Sequence, residues 1–258
     1  MKLGDSLWGV RCVWLRYFDV FRKGIFYYLI TTFAEPFLYL LAFGFGVGSL
    51  IGSLQTNGGA VSYRSFVFSG ILGQTVLFQG FYEASYGGFV RMYYQRIFQA
   101  VAVTPITLSE VLWGELVWDA SKATLATAII ALIGVATGDF PTYAPLAVIP
   151  VVFPASLLFA GLGLAVAARS RTIEEISYPQ YLLVFPMFLF CGVFFPVEQL
   201  PAPLQWVAWA LPLTAVNSLM RTLTLGFAFQ AWSIPIVAAW LGLLVAYSRR
   251  AMFRRLVK

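Results

Sequence analysis

The stretch Gly192–Ala215 reads GVFFPVEQLPAPLQWVAWALPLTA. It holds four prolines, a glutamate and two tryptophans between two long apolar runs. Pro196, Pro201, Pro203 and Pro212 forbid one continuous helix, because proline lacks an N–H and its ring clashes with the preceding turn. The segment APLQWVAWALP is nevertheless apolar enough to enter a bilayer. Two arrangements satisfy these residues. One is a re-entrant pair of short helices whose exposed backbone is buried in protein or faces water. The other is an interfacial loop anchored by Trp206 and Trp209.

The surrounding chain sets the solvent. Its 258 residues are 60% hydrophobic and only 11% charged, where a soluble domain has about 25% charged residues. Too little polar surface is available to cover a water-soluble fold, so a bilayer protein is expected. The absence of histidine excludes imidazole bases and His-ligated metals. Cys12 and Cys191 are expected to be free thiols. The first 24 residues alternate charge with aromatics and do not have the pattern of a cleaved signal peptide.

Apolar runs of about 20 residues suffice to cross the hydrocarbon, and six are found. They lie at 28–50, 66–86, 117–137, 144–168, 178–195 and 233–247. With six spans, 15 of the 17 basic residues fall on one side; only Arg64 and Arg221 fall on the other. By the positive-inside rule that side is the cytoplasm and holds both termini. Residues 1–27 form an expected amphipathic interfacial helix, with Val10, Val13, Trp14, Tyr17, Val20 and Phe21 toward the acyl chains. A solvated helix packed on a partner is the alternative.

Ionisable residues within spans are costly and point to function. Glu35 precedes Pro36 in the first span without an evident partner there, and Glu83 lies near the inner end of the second. Asp119 and Lys122, one turn apart, are expected to pair with each other. The rings of Phe78, Phe81 and Tyr82, and of Phe185, Phe188 and Phe190, offer flat apolar faces for a sugar or lipid, against the default of lipid-facing aromatic belts. The segment GGFVRMYYQRIFQAVAVTP, Gly87–Pro105, follows the second span on the basic side, as a short amphipathic helix or as an interfacial loop anchored by Tyr93 and Tyr94. A second inner loop, Ala167–Ser177, reads as a solvated loop of both signs. Nucleic-acid binding is excluded, since the basic residues follow membrane topology.

Three blocks carry a family resemblance. The first is GVFFPVEQLPAPLQWVAWALPLTAVNSLMRTLTLG, with its F-F-P-x-E-Q-L-P run, a later L-P-L, Arg221 and Gly226. The second is LSEVLWGELVWDASKATLA, Leu108–Ala126, and the third is EPFLYLLAFGFGVG, Glu35–Gly48. Together and in this order they resemble the permeases of ABC type 2 exporters, particularly the nodulation-factor export group. The chain departs from that group at Asn217, where an acidic residue is expected.

The resemblance implies an all-α integral membrane protein of six transmembrane helices, with an interfacial helix (1–27) and a re-entrant hairpin (192–215) between the fifth and sixth spans. All 258 residues then form one transmembrane domain. It implies a homodimer among membrane lipids in a bacterial cytoplasmic membrane, paired with two copies of a P-loop ATPase that binds ATP and Mg²⁺. The chain itself is expected to hold no cofactor and no metal: it has no G-x-x-x-x-G-K-[ST], and GFGVG at Gly44–Gly48 lacks the lysine. The resemblance also places a coupling helix at 87–105, with Arg91, Tyr94, Arg96, Ile97 and Phe98 as its contacts. Pathway and gate candidates are Glu35, Phe78, Phe81, Tyr82, Phe195, Trp206, Val207 and Trp209. The expected cargo is a glycan, a lipid-linked saccharide or an amphipathic compound. A membrane-embedded enzyme for lipid-linked substrates, and a passive channel or scaffold, are the competing functions.

Overall fold

The computed structural model describes residues 3–56, 59–101 and 103–256. Lys2 and Lys258 of the charge pattern, and Ala102 of the coupling segment, lie outside them. Among the described residues the fold is mostly helical, with one two-stranded hairpin that hydropathy did not signal. Its strands β1 (Ser53–Thr56) and β2 (Gly59–Ser62) are antiparallel, with Leu54 opposite Val61.

Helix α1 (Leu3–Lys23) leads into α2 (Ile25–Ile51), which continues through a wide-turn section at Leu40–Val47. After the hairpin comes α3 (Tyr63–Tyr82), extended by wide turns at Glu83–Gly87 and Val90–Tyr94. A short helix, α4 (Ile97–Val101), precedes α5 (Leu108–Ala136). Thr107 starts α5 with a capping box: its hydroxyl accepts from the Glu110 amide, while the Glu110 carboxylate accepts from the Thr107 amide at 2.6 Å. Then follow α6 (Ala144–Ala147), α7 (Ile149–Arg169) and α8 (177–190). The chain closes with α9 (Ala202–Ala210), α10 (Pro212–Leu225) and α11 (Ser233–Leu256).

Among the described residues, four helices, α2, α5, α7 and α11, are long and apolar enough to cross a membrane. At 1.5 Å per residue, the 29 residues of α5 reach about 43 Å, more than the hydrocarbon thickness of about 30 Å. Helix α3 is the hub. Every residue from Phe66 to Phe78 is buried, including the polar Ser69, Gln74 and Thr75. Those polar groups lower its hydropathy, yet they are enclosed by protein. Glycines let its neighbours come close: a Cβ on Gly163 of α7 would stand 2.4 Å from the Phe81 carbonyl of α3.

Three expected limits move: the third apolar run was expected to begin at Val117, but α5 begins at Leu108. The fifth apolar run was expected to reach Phe195, but the helix stops at Phe190, and Cys191–Phe195 forms a bend with Gly192 at φ +79°. The sixth was expected to end at Tyr247, but α11 runs on to Leu256. Hydropathy marks where the lipid ends, whereas a helix goes on while its backbone bonds persist. Helix α1 also differs. Its ring-bearing face packs on α5: Trp14, Tyr17 and Phe21 each meet the Trp118 ring, with centroids 5.7, 6.1 and 5.6 Å away. Those rings face protein and not acyl chains.

Candidate functional site

At the end of the molecule that carries the basic last turn of α11, five ionisable groups are enclosed together. On α5, Glu115, Asp119 and Lys122 recur at four- and three-residue spacing and so share one stripe. Opposite stand Glu83 and Arg91, on the wide-turn extension of α3. Arg91 is the hub. Its Nη1 donates to Glu83 Oε1 at 2.9 Å, its Nε donates to Glu115 Oε1 at 2.6 Å, and its Nη2 lies 3.5 Å from Asp119 Oδ1. Lys122 Nζ donates to Glu83 Oε2 at 2.6 Å.

The expected Asp119–Lys122 pair is therefore not formed. The two side chains diverge by about 60° around the helix, so Asp119 points inward and Lys122 reaches across to α3. Gly87 leaves room for the guanidinium, since a Cβ there would stand 2.9 Å from Arg91 Nη1. Aromatic rings close the cluster: Tyr17 of α1 lies 5.1 Å from the Arg91 guanidinium, and Tyr28 of α2 lies 4.4 Å from Lys122 Nζ. Burial, with the Glu115 carboxylate beside it, pushes the Tyr17 phenol above its ordinary pKa and keeps it neutral. Four segments are thus pinned at one point.

The contacts expected for a coupling helix divide sharply. Arg91 belongs to the cluster, and Ile97 and Phe98 are buried within this chain. Tyr94 and Arg96 are exposed, as are Tyr93 and Val103. Arg96 turns the chain at φ +50°, between the α3 extension and α4. The segment is anchored from beneath by its apolar residues and shows tyrosines outward.

The pathway candidates also divide. Phe78 and Tyr82 stack at 5.3 Å and join an aromatic column drawn from α2, α3 and α8. Phe78 meets Phe188 at 5.1 Å, Phe188 meets Tyr39 at 5.3 Å, and Phe194 meets Phe43 at 4.3 Å. Tyr86 donates to Gln180 at 2.8 Å, and Gln180 donates onward to Tyr82 at 3.3 Å. Glu35 is half-buried beside this column, near the Tyr39 and Tyr82 phenols, and forms no hydrogen bond or ion pair among the described residues. Phe81 is sealed in the core, and Phe195 is half-buried against it.

At the opposite end, the prolines break the chain into separate helices as expected, but the second of them runs to Leu225, ten residues past the expected hairpin limit at Ala215. Two short helices, α9 and α10, meet at Leu211 in extended conformation with Pro212 opening the second. Trp206 and Val207 are exposed, and Trp209 is half-buried with its ring edge-on to Trp206 at 5.9 Å. Helix α10 holds the preceding bend. Asn217 donates to the Cys191 carbonyl at 2.8 Å, and Arg221 donates to the Gly192 carbonyl. Ser69 and Thr224 bond at 2.9 Å between α3 and α10. These side chains satisfy carbonyls left free where α8 stops, which an apolar surround requires. Sequence reasoning missed this clamp and the roles of Tyr17 and Glu115. The available signal was the spacing of Asn217, Arg221 and Thr224 on one face of an otherwise apolar helix.

Comparison with known proteins agrees with this architecture. The profile of the ABC-2 type transporter family matches residues 10–225. Nodulation protein J of Rhizobium leguminosarum bv. trifolii is 33% identical over 214 residues, covering 83% of this chain and 80% of the relative. Nodulation protein J of Bradyrhizobium diazoefficiens is 30% identical over 244 residues, covering 94% and 92%. The inner membrane transport permease YadH of Escherichia coli is 21% identical over 238 residues, covering 92% and 89%. A helical membrane protein matched over this much of its length belongs to the ABC-2 type transporter family.

Proposed function

We propose that this chain is the permease subunit of an ATP-driven exporter in a bacterial cytoplasmic membrane. It works as a homodimer with two copies of a separate P-loop ATPase, which binds ATP and Mg²⁺. Each protomer crosses the membrane six times with both termini in the cytoplasm, and α9 and α10 form a re-entrant hairpin at the outer side. The cargo is a glycan, a lipid-linked saccharide or a related amphipathic compound.

One observation carries this reading: the segment that exposes Tyr93, Tyr94 and Val103 is fastened, through Arg91, to the buried charges that join α1, α2, α3 and α5. A push on the exposed residues is delivered to the hub helix α3 through ion pairs and packed rings. Closure of the ATPases on ATP moves this segment, α3 shifts against α2 and α8, and the aromatic column parts beneath the hairpins. The flat rings of the column give the C–H faces of sugars and the acyl chains of lipids an apolar surface. The test is reconstitution with the ATPase in vesicles. Cargo-stimulated ATP hydrolysis and ATP-dependent cargo movement are expected, and movement that proceeds without ATP would refute the reading in favour of a passive channel.

A further inference from the structure

Beside the hairpin lies a cavity of about 120 Å³, several times the space of about 10–15 Å³ that one water needs. Its walls include Glu198, Trp209, Ser218, Arg221, Gln230 and Trp232. Arg221 is only 9% exposed and forms no ion pair among the described residues. One amino group is used on the Gly192 carbonyl, and the guanidinium lies 3.8 Å from the centre of the Phe66 ring. Its Nε is buried and has no hydrogen-bond partner among the described residues. A buried polar group in that state is costly until something accepts from it.

The lining specifies the chemistry of what completes it. One guanidinium and one carboxylate cancel in formal charge, so the cavity favours a neutral ligand. Arg221 only donates hydrogen bonds and the Glu198 carboxylate only accepts them, whereas Ser218 and Gln230 do both. A hydroxyl, which donates and accepts, is served on every side. A phosphate finds donors in Arg221, Ser218 and Gln230 but is repelled by Glu198. The indole rings of Trp209 and Trp232 supply flat apolar surface for C–H groups. The cavity is partly open, so one ring can enter while the rest of an oligosaccharide stays outside.

We propose that this cavity is a saccharide subsite, which holds one neutral sugar ring of the cargo next to the hairpin. The site rests on the exporter reading for its role and deepens it by naming the recognised unit. A ring seated there bonds to Arg221 and Glu198 together. It thereby bridges α10 to the turn before α9 and ties the hairpin to the cargo leaving beneath it.

The test titrates purified permease in lipid nanodiscs with maltotetraose, chitotetraose and inorganic phosphate, read by tryptophan fluorescence. Saturable binding of at least one neutral oligosaccharide is expected, without competition from phosphate. Glu198→Gln and Gln230→Ala, neither of which hydrogen-bonds to Arg221 among the described residues, should each weaken it about tenfold, the worth of one hydrogen bond to a charged or buried group. Trp232→Ala is a third variant, accepted only if its unfolding midpoint matches the parent's. The proposal is overturned if neither saccharide binds, if phosphate displaces them, or if Glu198→Gln and Gln230→Ala both bind as the parent does. ATP-driven export in vesicles separates the two levels. Export without saccharide binding at the cavity sinks the subsite alone, while saccharide binding with no ATP-driven export sinks the exporter reading.

Discussion

Lys122 Nζ sits 2.6 Å from Glu83 Oε2, although Asp119 stands one turn away on its own helix. The lysine bridges two helices when a local pair was available. With Arg91 in reach of Glu83, Glu115 and Asp119, the result is a junction and not a decorated surface.

Removing the hub should therefore be severe. Arg91→Met leaves three carboxylates facing one lysine in a buried site, and breaking such a network costs about 3–5 kcal/mol. Thermal unfolding in detergent should show a clear drop in midpoint. Arg91→Lys should rescue only partly, because an ammonium on a flexible stem cannot reproduce the planar fork. Adding Glu115→Gln to Arg91→Met should recover part of the loss, and strictly additive effects would argue against a shared network.

The two faces of the coupling segment should respond differently. Phe98→Ala empties a buried position and should cost about 3–5 kcal/mol of stability. Tyr94→Ala combined with Val103→Asp alters only exposed residues, so unfolding should be unchanged while copurification with the ATPase is lost. Retained copurification would move the docking surface to another loop.

Close packing makes a third contrast. A Cβ at Gly70 would lie 2.4 Å from the Val193 carbonyl oxygen, a backbone atom that cannot swing aside. Gly70→Ala should displace the bend after α8 and lower the unfolding midpoint. Gly242→Ala meets nothing within 4 Å. It should be neutral or stabilising by up to about 1 kcal/mol, the usual helix-interior difference between the two residues.

Membrane sidedness is open to a labelling test. With Cys12 and Cys191 first replaced, single cysteines at Gln55 and Gln199 should react from outside the cell, and those at Arg171 and Arg254 only from inside. All four positions are solvent-facing or partly so in the fold. Outside labelling at position 254 would break the six-span topology.

Much of this design was legible in the residues, and the boundary is physical. Long apolar runs marked α2, α5, α7 and α11 because each is apolar over the length a bilayer requires, although α5 and α7 bury half or more of that length against protein. The prolines marked the break between α9 and α10 because their effect is local. Glu83 and Lys122, 39 residues apart, were each visible as costly charges. That they were partners was not visible, because only the packing of α3 on α5 brings them together. Arg221 was recognised as part of a motif, while its use as a clamp on Gly192 depends on how α10 folds back. The β1–β2 hairpin had a local signal, Asn-Gly at 57–58 between short extended runs. In so apolar a chain, hydropathy drew attention elsewhere.

The most direct measurement places the permease and its ATPase in sealed inside-out vesicles and follows accumulation of a fluorescent saccharide-bearing lipid after ATP is added. Accumulation should require ATP and both proteins. It should vanish in the Tyr94→Ala, Val103→Asp permease even though the ATPase alone still hydrolyses ATP. Equal accumulation without ATP, or with that variant, would contradict a permease driven through the segment anchored at Arg91.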